Sequence, residues 1–405
     1  MPATLVGTAT LPSITHVEIP AEEYGRRLWS VQDALAKRGL QVGVGYGTPA
    51  MPGDPQYLSG FNPQVEDSAF VVSARGLWLV GGPEGEVQAA DQVRLGEFRN
   101  LEEFKLPGVG YVGKTFVSLR DVFEEATGEP IRSVGLLTSP SVVSVQWLGL
   151  VREAVGGAAN VSDASDILRM ARYHKSDIEL RCMRLSNQIA DAAMLAMLPL
   201  VRPGATELEV AARGDCMVKT LGAEGVGLST IVLSGHRINT IIGNASRKRI
   251  EDGEPVLLTV SARYNGYCSA IGRTVIAGEA SREQLDFLDR GCDAYDLAVE
   301  RLVEGAPARD VDLAARHHLA SLGLGDYHTY SVGHGSGLTE CQEAQPLGAH
   351  SDYAIPSGIA VMVDVGIFGH PVHHGFRFEN SFAIEHGGRT ARLNDVPMRL
   401  HRMGI

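Results

Sequence analysis

Around Arg27, Leu28, Val31 and Leu35 the apolar positions recur at helical spacing, and Gly39 supplies a stop. The chain therefore opens its first ordered region with an amphipathic helix. Three short apolar runs follow, at 69–72, 77–80 and 134–137, each bounded by Gly, Pro or Ser. That is the pattern of buried strands. The first half reads as a mixed α/β domain that ends in the polar stretch 160–166. Beyond it, helix starts are marked by capping-box pairs: Ser176 with Glu179, Thr206 with Glu209, and Ser281 with Gln284. Runs rich in Val and Ile at 256–260, 274–277 and 359–364 read as strands. Helices precede strands, and the order then repeats.

The repetition extends to single residues. Gly204 and Gly222 lie 18 positions apart, as do Gly305 and Gly323. Ala211-Ala212-Arg213 is echoed by Ala314-Ala315-Arg316, and Gly235-His236 by Gly333-His334. Gly253 precedes Thr259 by six positions as Gly358 precedes Asp364, and Gly266 precedes Ala270 by four as Gly375 precedes Glu379. Two copies of one αβ unit facing each other would place equivalent residues around a pseudo-twofold axis, with a pocket between the sheets.

A chain of 405 residues exceeds what one core usually serves. Two domains are expected, 1–165 and 166–405. The net charge of −12 with scattered Lys and Arg offers no track for phosphates, so nucleic acid is not an expected partner. The five cysteines, Cys182, Cys216, Cys268, Cys292 and Cys341, form no CxxC pair. Reduced thiols in a cytoplasmic protein are the simplest reading. The first residues lack a basic start followed by an apolar run, and no stretch approaches the roughly 20 apolar residues of a membrane helix.

Several stretches together resemble the creatinase, prolidase and aminopeptidase P family. They are 175–179 (KSDIE), 202–207 (RPGATE), 266–269 (GYCS) with Arg273-Thr274, 333–338 (GHGSGL) and 375–379 (GFRFE), with 57–61 (YLSGF) upstream. The resemblance implies an α/β (α+β) protein whose C-terminal domain has the duplicated pita-bread fold. It also implies a homodimer in which one subunit's N-terminal domain closes over the other's pocket. Metallopeptidases of that family use two Asp, a His, a further acid and a final Glu. Carried over, these positions fall on Thr259, Ala270, His334, Asp364 and Glu379. Two carboxylates are missing, and a two-metal centre needs bridging anions to offset cation repulsion.

Ligand loss of this kind is similar to that of creatinase, which works without metal. The expectation is a metal-independent, non-peptidase hydrolase cutting a C–N bond (amidine, amide or ureido) of a small nitrogenous molecule, with no cofactor. Gly272, where creatinase has a glutamate, argues against creatine itself. The catalytic set would be His334, Glu379 and Asp364, with the imidazole first in line as general base and the acids either anchoring a cationic group or, with one of them protonated by its neighbour's charge, protonating a leaving nitrogen. His236, Cys341, His374, Arg273 and Arg377 are candidates for substrate contact. Among these, Cys341 is either a nucleophile activated by an imidazole or an inert thiol. Two alternatives stand beside this reading. One is a mononuclear metal-dependent hydrolase or Xaa-Pro peptidase-like enzyme with its ion on His334, Asp364 and Glu379. The other is a non-catalytic binding module.

Overall fold

The computed structural model describes residues 14–402 apart from 107, 157–159, 342 and 344. It divides into two units, 18–173 and 174–402, the latter joined by 14–17. The helix Ser165–Tyr173 packs on the helix Ala21–Lys37. It therefore stays with the first unit, whereas the change in sequence character pointed to a break before it.

The first unit is built on a six-stranded sheet: β1 (Val42–Gly47), β2 (Ser68–Ser73), β3 (Gly76–Gly81), β4 (Glu97–Asn100), β5 (Ser133–Leu136) and β6 (Asn160–Asp163), in the order β4-β3-β2-β1-β5-β6. The runs expected at 69–72, 77–80 and 134–137 fall on β2, β3 and β5. Central β1 is fully buried yet half glycine, a composition that hides a strand from propensity arguments. Its glycines are required by packing, since a Cβ at Gly45 would lie 2.0 Å from Phe70 Cζ. Val44, Val71, Trp78, Phe123 and Trp147 fill the core beside it.

The second unit shows the duplication directly. A helix pair, Asp177–Met197 and Glu207–Thr220, precedes β7 (Gly225–Val226), β8 (Ile231–Ser234), β9 (Pro255–Val260), β10 (Ala262–Tyr264), β11 (Tyr267–Cys268) and β12 (Ile271–Ile276). A second pair, Arg282–Val299 and Arg309–Ser321, precedes β13 (Gly333–Gly335), β14 (Ile359–His370), β15 (His374–Ile384) and the short β16 (Thr390–Arg392). The large sheet runs β13-β14-β15-β12-β9-β8. It is therefore symmetric about the β15/β12 seam: β8-β9-β12 on one side matches β13-β14-β15 on the other. β7, β10 and β11 make a small separate sheet. The mixed α/β architecture with a duplicated second domain is as expected.

All three capping boxes read from the sequence form. At the first, the Glu179 amide donates to Ser176 Oγ at 3.4 Å and the Ser176 amide to Glu179 Oε2 at 2.9 Å. Each pair satisfies donors that a helix start leaves without an intrahelical partner. Ser176→Ala should therefore destabilise the second unit by about 1 kcal/mol, read as a lower urea midpoint in circular dichroism. An unchanged midpoint would show that the cap carries no net stability.

Candidate metal centre

Strand pairing places four positions of the large sheet in one row: Thr259 opposite Gly272, Gly272 opposite Glu379, and Glu379 opposite Asp364. Directly paired residues present their side chains to the same face, so Thr259, Glu379 and Asp364 share one surface with a bare glycine among them. All three are more than nine-tenths buried. Arg377, two positions before Glu379 on the same strand, shares that face. A Cβ at Gly272 would meet Arg377 Cγ and Cδ at 3.1 Å, so the arginine stem lies over the glycine.

His334 enters from β13, paired with Met362 of β14. The loop after it is pinned by the Ser336 amide donating to Ala360 O (3.0 Å), the Cys268 amide to Gly337 O (2.7 Å) and the Thr339 amide to Glu343 Oε1 (3.0 Å). That course brings Glu340 back over the row. One ligand atom from each of His334, Glu340 and Glu379 lies within 4.8 Å of the other two. Two anionic oxygens and an imidazole nitrogen at this spacing suit a single divalent cation. Glu379 is held protonated far above the usual carboxylate range, first by burial and then by the Asp364 and Glu340 carboxylates. A cation among these ligands would reverse that penalty.

Asp364 is otherwise engaged. Its Oδ1 accepts the Tyr330 hydroxyl at 3.0 Å and its Oδ2 lies 3.3 Å from Arg377 Nε. The guanidinium also sits over the rings of Tyr330 and Phe368, at 5.9 and 5.8 Å. Thus His334 and Glu379 meet as expected, while Glu340 stands in the cluster where Asp364 had been placed. The overlooked signal was an acid six positions after His334 in a glycine-containing loop.

The other candidates are placed apart from the cluster or are engaged elsewhere. Arg273 is fully buried on the opposite face, donating to the carbonyls of Gly272, Glu379, Val396 and Pro397 and to Asn380 Oδ1. It is a scaffold residue, not a substrate contact. His374 lies five residues from Glu379 along β15, about 17 Å at a strand's rise. His236 lies in the 3-10 helix after β8, and burial, then the charge of His236, lowers the basicity of His374. Neither imidazole reaches the cluster. Cys341 is exposed beside Glu340, and desolvation together with that carboxylate pushes its thiol up to about 11. That direction disfavours the thiolate that the nucleophile reading requires.

Known proteins resemble this chain in sequence and in fold. Residues 181–386 match the model of metallopeptidase family M24. The Xaa-Pro dipeptidase of Pyrococcus furiosus is 31% identical over 287 residues, spanning 71% of this chain and 79% of the relative. The chain belongs to metallopeptidase family M24. The Xaa-Pro dipeptidase of Pyrococcus horikoshii is 33% identical over 245 residues, 60% of this chain and 69% of that one. Among solved structures, the prolidase of Pyrococcus horikoshii superposes with a TM-score of 0.79 at 23% identity, covering 93% of this chain and 99% of that one. The Xaa-Pro dipeptidase of Bacillus anthracis gives 0.77 at 25% identity, covering 93% and 98%. The second unit thus has the pita-bread fold.

Membership overturns the expectation of a metal-independent, creatinase-like, non-peptidase hydrolase without a cofactor. The relatives are peptidases of a metal-using family, and Glu340 supplies a carboxylate that a count of hairpin positions left out. The full two-metal ligand set does not fit, however, because Thr259 offers an uncharged hydroxyl and Ala270 a buried methyl group. The three-ligand cluster fits one ion. Among the described residues no helix is long and apolar enough to cross a membrane.

Thr259 Oγ1 is buried with no hydrogen-bond partner among the described residues. Replacing an orphan hydroxyl by an isosteric methyl group removes a desolvation penalty. Thr259→Val should leave the metal-free protein equally stable or up to about 1 kcal/mol more stable in urea. A loss of that size would mean that the hydroxyl has a partner.

Proposed function

We propose that the chain is a metal-dependent hydrolase of short peptides of the Xaa-Pro dipeptidase type, using one divalent cation held by His334, Glu340 and Glu379. The observation that carries this reading is the convergence of those three ligand atoms within 4.8 Å at the end of the buried row. Relatives named Xaa-Pro dipeptidases that span most of the chain support the choice of substrate class.

A divalent cation supplies polarisation of the scissile carbonyl and acidification of a water at neutral pH. The chain's own residues supply the surroundings. Burial of Glu379 and Asp364 keeps the local dielectric low, which strengthens each electrostatic contact to a bound peptide. Tyr330 and Arg377 fix the Asp364 carboxylate from two sides, so the wall beside the ion is rigid before substrate arrives. Thr259 presents a free hydroxyl on the same surface.

Protein purified with Mn2+, Co2+ or Zn2+ and given Ala-Pro, Leu-Pro and Met-Pro should release free proline. EDTA should abolish the reaction, and adding back metal should restore it. His334→Ala and Glu340→Gln should each lower kcat/KM by at least about 100-fold. Absence of hydrolysis with every metal and peptide, or hydrolysis indifferent to EDTA, would overturn the reading.

A further inference from the structure

The face that carries the acids also carries an apolar wall. Ile231 of β8 pairs with Thr259, and Leu233 pairs with Leu257 two positions along β9, so these apolar side chains stand on the surface of the row. Phe368 lies four positions beyond Asp364 on β14 and shares that surface. Over them folds the 3-10 helix Gly235–Thr240, which reaches across to β14 and β15 and adds Ile238. Ile231, Leu233, Ile238, Leu257 and Phe368 form one buried cluster, and Leu228, Ile241 and Tyr330 pack against it while staying half-buried. Tyr330 joins the wall to the acids: its ring lies 5.8 Å from that of Phe368 and its hydroxyl donates to Asp364 at 3.0 Å.

Ile241 holds its place under strain. Its φ is +64° and its ψ is −64°, and across it the Ile242 amide donates to Thr240 O at 2.7 Å. Those angles and that bond define the rare γ-turn. A β-branched residue at positive φ crowds its own backbone, whereas glycine would adopt the same turn freely. Such strain persists where the surroundings over-determine it, and it gathers at positions that contact ligands. Here it holds an aliphatic side chain, half open, against the wall beside the acids.

We infer that Leu228, Ile241 and the buried cluster behind them form an aliphatic subsite that takes a branched apolar side chain of the substrate, with Ile241 as its specificity-determining residue. The inference rests on the preceding reading for the presence of a substrate at the row, but it depends neither on a bound metal nor on cleavage.

The test is ligand-observed NMR titration of the full chain in EDTA with leucinamide and glycinamide, probes that differ by one isobutyl group. Without metal neither probe is turned over. The wild type should bind leucinamide at least about tenfold more tightly than glycinamide, because the isobutyl group leaves water. Ile241→Ala and Leu228→Ala should each reduce that preference at least about threefold with glycinamide affinity unchanged, while Ile241→Val should keep it. Circular dichroism confirms that each variant is folded. Ile241→Gly should have a urea midpoint no lower than that of Ile241→Ala, since glycine relieves the turn. Equal affinity for the two amides in the wild type, or the full preference retained in folded Ile241→Ala, would overturn the inference. A lower midpoint for Ile241→Gly than for Ile241→Ala would show an unstrained turn and count equally against Ile241 as the selecting residue. Failure to release proline from Xaa-Pro peptides, with the preference for leucinamide intact, would overturn the preceding reading alone.

Discussion

The site depends on the register of β14 against β15. Asp364 faces Glu379 because that hairpin pairs residue by residue from Ile359 with Ile384 to Phe368 with Gly375. A slip of one residue would put Asp364 on the opposite face from Glu379 and Arg377, since directly paired side chains share a face and alternate along a strand. The long apolar runs on these strands do not by themselves fix that register. Contacts across the β15/β12 seam hold β15 against β12, including the Arg377 amide donating to Thr274 Oγ1 (2.9 Å), the Ala270 amide to Ser381 Oγ (3.3 Å), and the Arg273 guanidinium to Glu379 O and Asn380 Oδ1. Arg273 therefore braces the strand that carries Glu379 without facing the site. Burial pulls its guanidinium down to about 10, and its bonds to carbonyl oxygens offset the cost of placing a cation there.

Once the register is set, electrostatics governs the rest. Three carboxylates are brought to one buried region, and such a group is unstable unless protons or cations compensate it. The chain supplies one compensating charge itself, through Arg377 beside Asp364, and burial with the neighbouring acids pushes Glu379 toward its protonated form.

Much of the fold was legible because duplication leaves traces that survive substitution: paired glycine spacings, three helix caps and matching strand runs. The helix caps were legible because a cap is a local pattern of four residues. β1 was not, since Gly43, Gly45 and Gly47 carry no strand preference and are set by packing against distant side chains such as Phe70. At the site, His334, Asp364 and Glu379 were legible through family resemblance. Their roles were not, because the sequence does not show that Asp364 is bound by Arg377 and Tyr330. Glu340 escaped for a similar reason: it lies on a loop, and only the contacts of Ser336, Gly337 and Thr339 turn it toward His334. Counting acids on strands alone led to a cofactor-free reading that family membership and the geometry of that loop overturn.

The central claim is that one divalent cation sits among His334, Glu340 and Glu379. Anomalous diffraction at the manganese absorption edge, from crystals grown with Mn2+, tests it most directly. One anomalous peak within bonding distance of those three side chains is the predicted result. Two peaks a few ångströms apart, or a single peak bound to Asp364 with Glu340 turned away, would contradict it.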